Sequence, residues 1–235
     1  YDGTSFRSFK PLEAEKDMQF VVTFEDSEGN YWFGTSGEGL IKVRPSIINT
    51  IDVDDGIFNE KMLSIASLQN ELLVFATNCG GVYTWTGNRA IVAPINQYLP
   101  NQCVWTVFQQ SNGDIWFGSK GLYRSKSLET KGEYYGEEQG FTDLDVFAMM
   151  EDRDGNLWIG CINGVYKFDG EQFQRFSTLD GLSYNDTRVI YEDTDGSIWF
   201  GSAAGLTHYS NGVFKKVSLS TNSTDIKANR EPYIR

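Results

Sequence analysis

Histidine, cysteine and proline are scarce in this chain of 235 residues, with one, three and five copies. A Ser-His-Asp triad, a multi-histidine metal site and a histidine-paired cysteine all need more than His208 alone supplies. Cys79, Cys103 and Cys161 are too few for a disulfide framework, and none has a CxxC spacing. Long apolar runs are missing too: nothing approaches the roughly 18 consecutive apolar residues of a membrane-spanning helix. Tyr1-Asp2-Gly3-Thr4 has neither the basic nor the apolar part of a secretory leader. Positive charge is also short, with 20 Lys and Arg against 32 Asp and Glu and a net charge of −12. Nucleic acid or an anionic membrane surface would have to bind against that field, so neither is an expected partner.

What is abundant is glycine, with 24 copies, and aromatic side chains, at 14%. With 40% hydrophobic and 22% charged residues, this is the composition of a turn-rich, aromatic-packed β protein. Five segments read alike, ending at Gly34, Ala76, Gly118, Gly160 and Gly201, at intervals of 42, 42, 42 and 41. Asp152-Arg-Asp-Gly-Asn-Leu-Trp-Ile-Gly160 and Asp193-Thr-Asp-Gly-Ser-Ile-Trp-Phe-Gly201 show the pattern best. Each unit holds four short apolar runs, the last being Arg188 to Glu192, Ser197 to Ser202, Gly205 to Tyr209 and Val213 to Val217. Four strands in about 42 residues make a β-propeller blade. The fold class is therefore all-β, with repeat cores at 20–43, 62–85, 104–124, 146–168 and 187–209.

The Asp-Gly and Asn-Gly steps at Asp154, Asp195 and Asn112 supply the positive φ of the hairpin joining the first two strands of a blade. Trp32, Trp116, Trp158 and Trp199 then fall on second strands, where they are expected to fill the wedge between blades. Tyr1 to Phe9 matches the fourth strand Phe168 to Phe176, which leaves an orphan outer strand before five whole blades. Either that strand closes the ring or the blades, 1–219, are part of a larger propeller; the second is the expectation. The polar tail, 220–235, has no repeat and reads as the entry to another domain.

The unit Val-x-x-Ile-x-Glu-Asp-x-x-Gly-Asn-x-Trp-Ile-Gly-Thr followed by Gly-Leu resembles the two-component regulator propeller repeat. Val146 to Gly164 and Thr187 to Gly205 carry it best, Phe20 to Leu40 well, the 104–122 copy fairly, and the 62–82 copy is degenerate at Leu73-Val74. The resemblance implies the extracytoplasmic sensor of a membrane-bound hybrid sensor kinase, with seven-bladed propellers and a β-sandwich that the tail would begin. It implies a periplasmic or extracytoplasmic location, with contact to the membrane only through segments outside this chain. The remaining blades, the β-sandwich and a second copy in a homodimer would be the protein partners.

Function is expected on the face where fourth strands lead into the next first strands. Its central rim falls at Val21, Leu63, Trp105, Phe147 and Arg188, spaced 42, 42, 42 and 41. Aromatic rings with one guanidinium suit a sugar ring, whose CH face stacks and whose hydroxyls or uronate carboxylate bond. A plugged channel is the alternative for Trp105 and Phe147, and an ion pair with Asp186 or Asp145 the alternative for Arg188. Phe58, Tyr98, Tyr184 and Asn185, in the loops before the first strands, complete the candidate ligand site; packing between loops is the alternative for each. Cys79 follows a second strand and Cys103 precedes the next first strand, so both lie on this face, where an oxidising compartment would permit a disulfide.

No cofactor, metal or catalytic constellation is expected. His208 sits on a third strand between Thr207 and Tyr209, unlike the ligand-face histidine of the streptogramin-lyase type of propeller. Glu60, Asp143, Asp145 and Asp186 lie in the face loops without a spacing that singles out a glycosidase pair. Asp152 and Asp193 open calcium-like turns, but position twelve is Asn163 in one and Ala204 in the other, not glutamate. The function read from sequence is a ligand-sensing propeller fragment of a two-component signalling protein, recognising an oligosaccharide or uronate-containing glycan. A protein-association scaffold and a lyase or carbohydrate-active enzyme are the alternatives.

Overall fold

The structure, a computed structural model, describes residues 19–217 except positions 38, 44–47, 52–54, 58–60, 88 and 144, and omits the side chains of 48–50. The orphan strand expected at 1–10, the tail, Phe58 and Glu60 lie outside the described residues.

Four-stranded antiparallel meanders follow one another along the chain. Blade one is β1 (Phe20–Glu25), β2 (Tyr31–Thr35), β3 (Leu40–Val43) and β4 (Ile48–Ile51); blade two is β5 (Met62–Ser67), β6 (Leu73–Thr77), β7 (Gly81–Trp85) and β8 (Ala90–Val92). Blade three is β9 (Thr106–Gln109), β10 (Ile115–Ser119), β11 (Gly121–Ser125) and β12 (Glu133–Tyr135). Blade four is β13 (Val146–Glu151), β14 (Leu157–Cys161), β15 (Gly164–Phe168) and β16 (Phe173–Phe176). Blade five is β17 (Thr187–Glu192), β18 (Ile198–Ser202), β19 (Gly205–Ser210) and β20 (Val213–Val217). Helix is confined to two 3₁₀ turns, Pro94–Gln97 and Glu137–Gln139, among the described residues. The first strands β1, β5, β9, β13 and β17 lie innermost and pack in that order.

The hairpin between the first two strands is built by one acid. In blade four Asp152 Oδ1 accepts the backbone N–H of Asp154 and Asn156 at 3.1 and 2.8 Å, and Oδ2 accepts the Trp158 indole N–H at 2.7 Å. Gly155 takes the turn's positive φ of 84°. Asp26 repeats this chemistry on Trp32 at 2.8 Å, and Gln110 substitutes an amide oxygen on Trp116 at 2.7 Å. Burial pushes Asp26 up, but the bonds from Trp32, Asn30 and Glu28 outweigh it and hold the carboxyl below its ordinary value. The indole is thereby fixed at its polar end while its rings enter the wedge. Trp158 is 0% exposed and packs on Phe200 and Tyr209 of the next blade, at 5.4 and 5.1 Å between ring centres.

Glycine at the end of such a segment serves a different need. A Cβ on Gly118 would lie 2.5 Å from Val146 Cγ1 in the next blade, and one on Gly160 2.8 Å from the Thr187 carbonyl oxygen. In blades one, three and four the inner strand of the following blade therefore crosses directly over this glycine.

The wedge is not filled equally at both ends of the series. Trp32, Trp116 and Trp158 are fully buried, whereas Trp199, expected in the same role, is half-buried and packs in a tilted arrangement against His208 of its own sheet, at 4.6 Å between ring centres. Among the described residues no following blade packs on it. The opposite face of blade one is likewise open: Tyr31 is 48% exposed, where its counterparts Leu73, Ile115, Leu157 and Ile198 are all buried. Burial of these apolar positions comes from the neighbouring blade, not from the sheet that carries them.

Candidate functional site

A cavity of about 1000 Å³ lies along the axis, lined by residues from all five inner strands. Trp105, Phe147 and Arg188 face it together. Their side chains get there by a break in pairing. In β13 the register with β14 jumps between Val146 and Ala148, leaving Phe147 as the extra residue; Arg188, Leu63 and Val21 occupy the same place in their blades. Trp105 immediately precedes β9, its N–H bonding the Gly118 carbonyl at 2.8 Å. A bulge turns a side chain out of the alternation of the strand, and here it aims one residue per blade at the axis.

Three consecutive blades thus build one stacked plate, in which Phe147 is covered by Trp105 and Arg188. The Trp105 and Phe147 rings stack at 5.6 Å with 27° between planes, and the Arg188 guanidinium lies over the Phe147 ring, 4.0 Å from its centre. Arg188 is in turn held by Asp186, through Nε to Oδ1 at 2.9 Å and Nη2 to Oδ2 at 3.0 Å. Arg188 is the one charged residue in the cavity lining among the described residues; the rest are aliphatic, aromatic, hydroxyl or amide side chains.

The other sequence-derived candidates fall elsewhere. Tyr98 caps the 3₁₀ turn Pro94–Gln97 and packs against the core between blades two and three. Asn185 accepts the Thr178 N–H at 2.8 Å, a bond across its own loop between β16 and β17. Tyr184 is exposed in the same loop but is not part of the cavity wall. His208 lies against Trp199 on the third strand, away from the cavity.

The disulfide that the sequence allowed between Cys79 and Cys103 lies behind the plate, and a buried acid that the sequence did not mark lies in the next loop. Cys79, in the turn between β6 and β7, is joined to Cys103, two residues before Trp105. Cys103 is further fixed by its N–H bonding Asn101 Oδ1 at 2.9 Å. In the next loop Asp143 is buried, with Oδ1 accepting the Asn163 amide at 2.7 Å and Oδ2 without a hydrogen-bond partner among the described residues. Burial pushes its carboxyl up. Cys79 and Cys103 were visible as neighbours in the repeat register, whereas nothing in the sequence marks Asp143 as the buried acid among the loop acids.

Comparison with known proteins agrees with this architecture. The profile of the two component regulator propeller matches residues 98–121, 140–163 and 181–204. No curated protein matches the sequence. The extracellular domain of a hybrid two component system from B. thetaiotaomicron superposes with a TM-score of 0.78 at 20% identity, over 90% of this chain and 30% of that one. Virginiamycin B lyase from Staphylococcus aureus gives 0.69 at 14% identity, over 89% and 73%. PorZ, a surface component of the type-IX secretion system of Porphyromonas gingivalis, gives 0.65 at 16%, over 88% and 35%. This chain thus spans less than a third of the first of these proteins, and the likeness is one of fold. Three segments of the chain thus match the two component regulator propeller repeat, within a fold of five four-stranded blades among the described residues.

Proposed function

We propose that the chain is a sensing part of an extracytoplasmic two-component signalling protein and recognises an oligosaccharide on the plate of Trp105, Phe147 and Arg188. The observation that carries this reading is the plate itself. Propeller packing needs only a small apolar residue at each bulge, as Val21 and Leu63 supply, yet three successive blades present two stacked rings and a guanidinium to a cavity large enough for several sugar residues. The Trp105 ring and the guanidinium donors at the other end of the stack suit the CH face and the hydroxyls of a pyranose.

An oxidising location is supported by the Cys79–Cys103 bond, which a reducing cytosol would not maintain. The parent chain would supply membrane and output segments, along with further blades. Screening the protein on a glycan array, then titrating hits by calorimetry against the parent, Trp105→Ala and Arg188→Ala, tests the reading. Binding lost in both variants with folding intact is the expected result; equal affinity in all three removes this face from consideration.

A further inference from the structure

We infer that Asp186 makes the plate selective for neutral glycans over their uronate counterparts. The inference rests on the oligosaccharide reading above and narrows it. Arg188 is the sole cation of the cavity lining among the described residues, and so the only group there that would attract a ligand carboxylate. Its charge is already matched. Asp186 engages the Nε and Nη2 side of the guanidinium in a two-point ion pair, at 2.9 and 3.0 Å, the strongest geometry such a pair adopts. A second contact holds the guanidinium in place, since its carbon lies 4.0 Å from the centre of the Phe147 ring.

What remains to a ligand is the Nη1 group and the outer N–H of Nη2, donors on an ion pair that is neutral as a whole. A sugar hydroxyl or ring oxygen can accept from them at little cost. A carboxylate reaching the same edge gains those bonds but is brought close to the Asp186 carboxylate, inside a protein whose net charge is −12. The aromatic part of the plate is indifferent to this choice, because a uronate ring and its neutral form offer the same CH face. Trp105 and Phe147 thus set whether a sugar stacks, and the Asp186–Arg188 pair sets which charge state is admitted.

The test uses an array that carries each uronate-containing oligosaccharide beside its carboxyl-reduced counterpart, followed by calorimetry on the pairs that bind. The unmodified protein is expected to prefer the reduced form by about tenfold, the scale of one unfavourable charge contact near a surface. Asp186→Asn frees the guanidinium charge and is expected to erase or reverse that preference, while Asp186→Glu retains it. A uronate form bound as tightly as its reduced counterpart by the unmodified protein overturns the inference without any variant having to fold. So does an Asp186→Asn protein that keeps the original ratio. In both cases stacking on Trp105 survives as a reading. If neither member of any pair binds, the oligosaccharide reading fails and this inference with it.

Discussion

The two ends of the blades obey different rules. At the hairpin end the blades share one solution. In blades one, three and four an Asp or Gln closes the turn and holds the indole, and in blades two, three and four the turn is latched to the next inner strand: Gln69 N–H to Gln109 at 2.6 Å, Ser111 to Glu151 at 2.7 Å, Arg153 to Glu192 at 2.8 Å. At the rim end the backbone bulge repeats but its side chain does not, running Val21, Leu63, Trp105, Phe147, Arg188. Repetition marks what packing requires, and divergence on an identical backbone marks where packing leaves the choice open. The repeated side chains of the hairpin end are therefore expected to carry stability, and the divergent bulge residues of the rim end recognition.

Substitutions that separate the two ends sharpen this comparison. The largest expected effect is at Trp158, whose replacement by Ala should cost roughly 3 to 5 kcal/mol, read from the denaturant midpoint. A loss below about 1 kcal/mol would break the assignment of the hairpin end to stability. Next comes the Cys79–Cys103 bond, which closes a loop with a sequence separation of 24. Changing both cysteines to Ser should lower stability by about 3 kcal/mol and weaken glycan binding through the freed Trp105 loop. Unchanged stability in the double variant would show that the loop is held by its other contacts.

A smaller effect, and one of opposite sign, is expected at Asp143. Burial raises its folded carboxyl above the unfolded value, so its contribution is fully present below the unfolded pKa and is lost as pH rises through the folded one. Asp143→Asn should therefore be more stable than the parent at neutral pH, with the gap closing as pH falls below the ordinary carboxylate range. Denaturation at both pH values checks the sign. Smallest is Trp199→Ala, expected to cost about 1 kcal/mol because the ring is half-buried on His208 alone. A loss equal to that at Trp158 would mean that another surface covers it.

Much of the fold was legible because a blade is a local object. The recurrence of Gly34, Gly118, Gly160 and Gly201 gives the period, and the Asp-Gly steps give the hairpins, so strand order followed from short-range signals. The site was legible only in part. Register alone brought Trp105, Phe147 and Arg188 to one rim, and charge alone nominated Asp186 or Asp145 as a partner for Arg188, of which the structure pairs Asp186. The bulge that turns them inward depends on pairing across strands and leaves no residue signature of its own. Tyr98 and Asn185 share the loop positions of the rim but are consumed by packing and by a tie to Thr178, contacts set by loop conformation. The difference between Trp158 and Trp199 is likewise invisible in two nearly identical repeats, since it depends on what lies beyond the sheet.

The division between the two ends is tested most directly by measuring unfolding free energy and glycan affinity together in Trp158→Phe and Trp105→Ala. The expected result is a double dissociation: Trp158→Phe loses stability and keeps the parent's affinity, while Trp105→Ala keeps stability within about 0.5 kcal/mol and loses affinity by about tenfold or more. A Trp105→Ala protein that binds as the parent does, or loses affinity only because it unfolds, would contradict the account.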